Sequence, residues 1–315
     1  MRIGLMIGPE RARYRTKVER LLTDVRWAED AGLATVWIPQ IPDEFDALTA
    51  ATLVGAETTR IEIGTAVVPV QPRHPIALAQ QALSVQAVCE GRLRLGLGVS
   101  HHWIIDEMLG LPYKRPVVTM GAYLDVLDQA FGGPGTVDVD NELFRVHSPL
   151  DVTDVAPTPV LMAALGPLML RLAGERTDGT ILWMADERAI ASHVIPHLTG
   201  AASAAGRPAP RVVAGIPVCL CSEREVDAAT ARANRILAEA EVSPNYQHLL
   251  DHGDARNVGD ILAAGSESTI EKRLRGFADA GVTDVSVRVL PIGESRPDLI
   301  ASLERTRQFI SSLAR

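Results

Sequence analysis

The sequence predicts a closed (β/α)8 TIM barrel, an α/β fold. Three observations carry the prediction. Short apolar runs alternate with helix-period segments eight times along the 315 residues. The runs are apolar almost without interruption, as strands covered on both faces must be. One turn is also used twice: "AEDAGLATVWI" (28–38) and "FADAGVTDVSV" (277–287) both close a helix on D-A-G and re-enter a strand. Gly32 and Gly281 read there as left-handed helix stops. Eight strands that each lead into a helix close on themselves as a parallel barrel.

The elements follow in order. "RIGLMIG" (2–8) is strand one, with a helix over about 16–31. "TVWIPQ" (35–40) is strand two, with "FDALTAATLVGAET" helical after it. "IEIGTAVV" (61–68) is strand three; it runs into "PVQPRHP", three prolines and a histidine within seven residues, and then the helix "PIALAQQALSVQAV". "RLRLGLGV" (92–99) is strand four, followed by the short segment "HHWIIDEML" and a helix near 117–131. "PVLMAAL" (159–165) and "GTILWM" (179–184) are strands five and six, with helices "PLMLRLAGER" and about 186–204. "RVVAGIPVCLC" (211–221) precedes a helix over 223–241, and "DVSVRVLP" (284–291) precedes a last helix over about 297–313. Two stretches exceed the plain repeat. The first, 133–150, reads as a hairpin excursion; the second, 243–270, reads as an insertion of the kind that covers active sites. No linker divides residues 1–315, so a single barrel domain is expected.

Composition narrows the function classes. The chain is 47% hydrophobic and 22% charged, with a formal net charge of -8 and no block of like charge. Nucleic acid and anionic membrane are poor partners for such a surface. The N-terminal run is too short for a secretory leader or a membrane span. Three cysteines without zinc-type spacing (Cys89, Cys219 and Cys221) suit reduced thiols in the cytoplasm. Cys219 and Cys221 fall two apart in a strand and share one face as small hydrophobes.

Ligands bind a barrel where its strands end. "ALGPLML" starts a helix directly from strand five, so free amides at Leu165, Gly166 and Leu168, with the helix dipole behind them, suit a phosphate. Pro167 at the first helical position is also ordinary helix grammar. "GLGVSHH" allows close approach at Gly96 and Gly98 and offers Ser100, His101 and His102. No third ligand of suitable spacing accompanies the histidines, so no metal site is expected.

Read together, "IEIGTAVVPVQPRHPIALAQQALSVQAVCEGRLRLGLGVSHH", "AEDAGLATVWIPQ", "ALGPLMLRLAGERTDGTILWM" and "GSESTIEKRLRGFADAGVTDVSVRVLP" resemble the bacterial luciferase-like superfamily. That superfamily holds flavin monooxygenases and oxidoreductases using the deazaflavin coenzyme F420. The resemblance implies a homodimer paired through early helices. It also implies that strand three ends in a bulge held by a non-prolyl cis peptide at Ala66–Val67, which backs a tricyclic ring, with Pro69, Pro72 and Pro75 restricting the exit. FMN-using members carry an arginine after strand four, where this chain has Val99. The resemblance therefore leans to F420, with FMN as the alternative. Gln40, Ala66, Val67, Gly98, Val99, Ser100, Leu165, Gly166, Leu168 and Met184 are then the expected cofactor contacts. Many deazaflavin members carry an acidic residue and a histidine at the end of strand two; Gln40-Ile41 stand there instead.

If F420 binds, the implied reaction is hydride transfer between its C5 and a small organic substrate, an activated alkene, imine or carbonyl. The acceptor must stack on the ring with water excluded, and a proton must also arrive. A histidine suits that task, so His101 or His102 is the first candidate donor. Asp46 and Glu44 are the second, or else they favour the N-terminus of the next helix. Trp103 and Trp183 either wall the substrate pocket or plug the core. An FMN-dependent monooxygenase and a non-catalytic cofactor binder are the competing readings.

Overall fold

The computed structural model of the chain describes residues 1–10, 13–152, 154–237 and 244–314. Strand β1 (Arg2–Met6) leads to helix α1 (Tyr14–Asp30), and β2 (Thr35–Ile38) to α2 (Ala47–Glu57). The third barrel strand comes in two pieces, β3 (Glu62–Thr65) and β4 (Val68–Pro69), followed by α3 (Pro75–Val88). Strand β5 (Leu93–Gly98) leads through a π-helical turn (Trp103–Met108) to α4 (Pro116–Phe131). An antiparallel hairpin, β6 (Gly135–Asp140) with β7 (Arg145–Leu150), stands outside the barrel. Then come β8 (Val160–Ala163), α5 (Pro167–Arg176) and β9 (Gly179–Trp183). The next helix is interrupted: α6 (Glu187–Ala189), a π-turn (Ile190–Val194) and α7 (Ile195–Ala204), with Pro196 in the first turn of the last piece. Strand β10 (Arg211–Leu220), α8 (Val226–Leu237), α9 (Pro244–Leu250), the short β11 (Ala263–Gly265), α10 (Glu267–Asp279), β12 (Asp284–Val289) and α11 (Arg296–Leu313) complete the chain.

Eight parallel positions close the barrel in the order β1, β2, β3/β4, β5, β8, β9, β10, β12 and back to β1. This is the predicted fold. Gly32 and Gly281 sit at φ +79° and +101°, the left-handed stops of the two equivalent turns. The predicted helix over 223–241 begins as a 3-10 turn at Glu223–Glu225; its residues 238–241, and Ser243 of the predicted insertion, lie outside the described residues. Strand three reads in sequence as one run, and it breaks where the resemblance implies a bulge. Gly64 pairs with Arg94 and Val68 with Leu97, so β3/β4 carries one more residue than β5 over that interval. That is a β-bulge. Thr65 fills the gap in the ladder: its hydroxyl donates to the Gly96 carbonyl and accepts from the Gly96 amide, each at 2.9 Å. The Ala66–Val67 peptide within the bulge is cis.

Two apolar layers result from strand alternation. Side chains such as Ile63, Leu93, Leu95, Val285 and Val287 face the helices and are fully buried. Trp37, Leu161, Ile181 and Val213 form a separate cluster, joined at its edge by Ala66 and Val67. Trp37 fills the interior so closely that a Cβ on Gly64 would come within 2.2 Å of its ring. Arg211 lies 5.4 Å from the centre of the same ring. It donates to both oxygens of Asp284, at 2.6 and 2.9 Å, and Arg2, Arg94 and Arg211 all pair with Glu62. Burial raises the Asp284 carboxyl, but the Arg211 hydrogen bonds outweigh it and leave the pKa below its ordinary value. Packing and charge thus fill the interior at the N-terminal end of the barrel, beside a cavity of about 460 Å³ lined by Arg2, Arg94, Arg211 and Asp284.

The insertion before β12 is tied to the barrel at several points. Asp186 caps α6 through the Ala189 amide (2.8 Å) and also accepts from the Asp254 and Ala255 amides at 2.6 and 2.7 Å. Asn234 accepts from the Gly259 amide at 2.6 Å, and β11, which falls inside the stretch read as insertion, pairs with the overhanging end of β10. No helix among the described residues is long and apolar enough to cross a membrane.

Candidate active site

Three adjoining cavities of about 360, 430 and 200 Å³ occupy the mouth at the C-terminal ends of the strands. Ala66, Trp183 and Tyr246 line all three, so they form one branched space. The bulge presents Ala66 and Val67 as an apolar wall; Val99, Ala163 and Ile181 extend it.

The largest polar opportunity in the first cavity is the start of α5. Gly166 is its N-cap residue and no side chain caps it. The first-turn amides of a helix have no partners within it, and Gly166, Leu168 and Met169 all line the cavity. Space beside Gly166 is open: a Cβ there would meet nothing within 4 Å. Among the described lining residues of this cavity there is no lysine or arginine. An anion would be held by amides and the helix dipole rather than by a side-chain cation. His193 fixes the preceding turn, its Nε2 lying 2.8 Å from the Leu165 carbonyl.

Of the predicted residues, Ser100, His101, Val99, Leu165, Gly166, Leu168, Ala66 and Val67 meet at the first cavity, and Gln40, Trp103 and Trp183 line the second. Gly98 sits behind them, its Cα within a side chain's reach of Val67 and Ala163. Gln40 is committed to the fold, its Oε1 accepting from the Ala47 amide at 3.0 Å. The imidazole of His101 lies between two aromatic rings, 5.9 Å from Trp103 and 5.6 Å from Tyr246. Burial lowers its pKa, so at neutral pH it is the uncharged imidazole.

Three predicted residues lie elsewhere. His102 is exposed and points to Glu107 at 3.4 Å, because the π-turn after it carries the chain outward. Asp46 is the N-cap of α2 and pairs with Arg73. Burial raises its carboxyl, but the Thr49 amide and Arg73 outweigh that and keep it ionised, so it is no proton donor near neutrality. Met184 adopts φ +64° and turns away into a second buried cluster with Cys219 and Cys221. Glu44 is also spent, paired with the buried Lys17 at 3.0 Å.

Sequence reasoning missed Tyr246 and Arg288. Tyr246, on α9, enters the mouth from the insertion; burial pushes its hydroxyl up to about 12. The signal was an aromatic within a segment already read as a site cover. Arg288 lines the second and third cavities from β12. Its signal was a lone cation in the apolar strand "DVSVRVLP".

Known proteins resemble the chain in sequence and in fold. A protein of Mycobacterium tuberculosis, named as a coenzyme F420-dependent oxidoreductase, is 30% identical over 57% of this chain, and the match spans 54% of that relative. The coenzyme F420-dependent tetrahydromethanopterin reductase of Methanopyrus kandleri superposes with a TM-score of 0.76 at 22% identity, over 100% of this chain and 99% of the other. The FMN complex of a type II Baeyer-Villiger monooxygenase component from Pseudomonas putida gives 0.77 at 16% identity, over 99% and 98%. The family model for luciferase-like monooxygenases matches residues 1–284, and with that match the chain belongs to the luciferase-like monooxygenase family of enzymes.

Proposed function

We propose that the chain is a coenzyme F420-dependent oxidoreductase that moves a hydride between the deazaflavin C5 and a small organic substrate bearing an activated alkene, imine or carbonyl. The observation that carries this reading is the uncapped N-terminus of α5, opening on an apolar slot whose described walls hold no lysine or arginine. Amides at Gly166 and Leu168 would hold the phosphate, and Ala66, Val67, Val99 and Ile181 would bound the ring. When bound, F420 supplies a two-electron hydride and reacts poorly with oxygen.

The chain's own residues supply the rest. The bulge and Trp183 wall the slot with apolar surface, which would bring two reactants to close range. His101, uncharged near neutrality, is suited to take the proton of an alcohol; once protonated, it can give that proton to the oxyanion that forms when a carbonyl is reduced. Tyr246 stays protonated, so its hydroxyl is available to donate a hydrogen bond to a substrate in the slot it lines.

FMN is the second reading, favoured by the flavin-complexed neighbour of like fold. Titration of the purified chain with oxidised F420 and with FMN, followed by gel filtration, separates the two. Stopped-flow loss of reduced-F420 absorbance with an enone panel then separates an enzyme from a silent binder. Absence of binding by either ring system below millimolar concentration would overturn the reading. A cytoplasmic homodimer belongs to the same proposal: the three buried free thiols support a reducing compartment, and light scattering checks the mass of the dimer.

A further inference from the structure

The third cavity differs from the first in its charge. It is small, about 200 Å³, and its described walls are apolar except for three groups: Arg288, Ser286 and Tyr246. Ser286 and Arg288 are two apart on β12 and so point to the same side, into the barrel. The buried Ser286 hydroxyl has no hydrogen-bond partner, and neither has the buried Nε of Arg288. Arg288 makes no ion pair or hydrogen bond among the described residues; its guanidinium carbon lies 6.0 Å from the centre of the Trp183 ring. That ring in turn lies across Gly215, where a Cβ would come within 2.4 Å of it.

A cation withdrawn from water without a counter-charge is costly, and a hydrogen-bonded anion offsets that cost. Of the described acids, Glu44 is paired with Lys17, Glu10 acts on Arg288 through its charge, and Asp43 lines the second cavity together with Arg288. The guanidinium is a planar fork matched to an oxyanion. Arg288 does not line the cavity at the start of α5, and Gly166 does not line this one. The mouth therefore has two anion-seeking ends, with Ala66, Ile181 and Trp183 shared between them.

We propose that Arg288 is a substrate-specificity residue that binds the carboxylate of an unsaturated or oxo acid, with the Ser286 and Tyr246 hydroxyls as accessory donors. This rests on the oxidoreductase reading and narrows its substrate class to organic acids. The small apolar compartment favours a carboxylate on a hydrocarbon over a phosphate ester, although both offer oxyanions.

The test is calorimetric titration of the full chain, with and without oxidised F420, using trans-cinnamate, its neutral isostere cinnamamide, and phenyl phosphate. Cinnamate is expected to bind at least about tenfold tighter than cinnamamide, the scale of one charge-assisted hydrogen bond. Arg288→Gln should erase that preference and Arg288→Lys should retain part of it, while both variants bind F420 like the parent. Equal binding of acid and amide by the parent overturns the proposal, as does a preference that survives in Arg288→Gln. Tighter binding of phenyl phosphate than of cinnamate overturns the assignment to carboxylic acids. Failure of the parent to bind F420 counts against the oxidoreductase reading alone, because the acid–amide comparison is read without the cofactor.

Discussion

Gly166→Asp separates the fold from the cofactor site in one substitution. Gly166 has φ −85° and ψ 157°, which any residue adopts, and open space where its Cβ would go. Aspartate is a favoured N-cap, and over glycine it is worth a few tenths of a kcal/mol; its charge at the positive helix end adds about 0.3–1 kcal/mol. Stability should therefore hold or rise slightly. Anion binding should move the other way, because the new carboxylate takes the same amides and repels a phosphate. Two unit charges about 4 Å apart repel by about 4 kcal/mol at an effective dielectric of 20. The rim is wet, with Leu168 62% exposed, so about half of that is expected. About 2 kcal/mol corresponds to roughly 30-fold weaker F420 binding. Gly166→Asn supplies the same cap without the charge and should weaken binding less. Fluorescence titration with F420 and thermal melts of the three proteins decide the matter. If Gly166→Asp binds F420 as tightly as the parent, the cradle is not at α5.

Other outcomes follow from the same structure. Tyr246→Phe keeps the ring beside His101 but removes the donor; turnover should fall about tenfold or more with the melting temperature unchanged, as steady-state kinetics and melts would reveal. Burial lowers the pKa of both His101 and His193, so the unfolded chain binds protons first as pH falls. Stability is thus present above the ordinary histidine value of about 6.5 and is lost below it. Urea melts between pH 5 and 7.5 should show this slope, and it should flatten in His193→Gln; an unchanged slope would rule His193 out. Lys17→Met leaves Glu44 buried without its cation and removes donors to the Gly8 and Glu10 carbonyls at 2.7 and 2.6 Å. A loss of about 3 kcal/mol or more is expected in denaturant unfolding.

The barrel was legible because its signals are local: apolar runs, their spacing, and glycine stops at 32 and 281. Strand three was legible as a strand from its own residues, but its bulge only through the family resemblance, since Ile61 to Val68 read as a single apolar run and the bulge depends on register with β5. The uncapped start of α5 was readable from Leu165-Gly166-Pro167, because strand, cap and helix adjoin in sequence. His101 and His102 looked equivalent; only the π-turn at Trp103–Met108 sends one inward and the other out. Met184 was misplaced for a related reason, a backbone turn at φ +64° that no composition announces. Tyr246 and Arg288 reach the mouth from residues far along the chain, and closure of the barrel, not any motif, brings them to Trp183.

The fastening of the insertion has a practical meaning. Asp186 holds it by two backbone amides, Asn234 by another, and β11 by the free end of β10, so most of its anchorage reads no side chain of the insertion itself. Such a strap can be rewritten at Tyr246 and its neighbours while its moorings stay intact. Barrel and insertion are then separable parts, and exchanging the insertion would alter the wall that Tyr246 gives the mouth while the barrel stays folded.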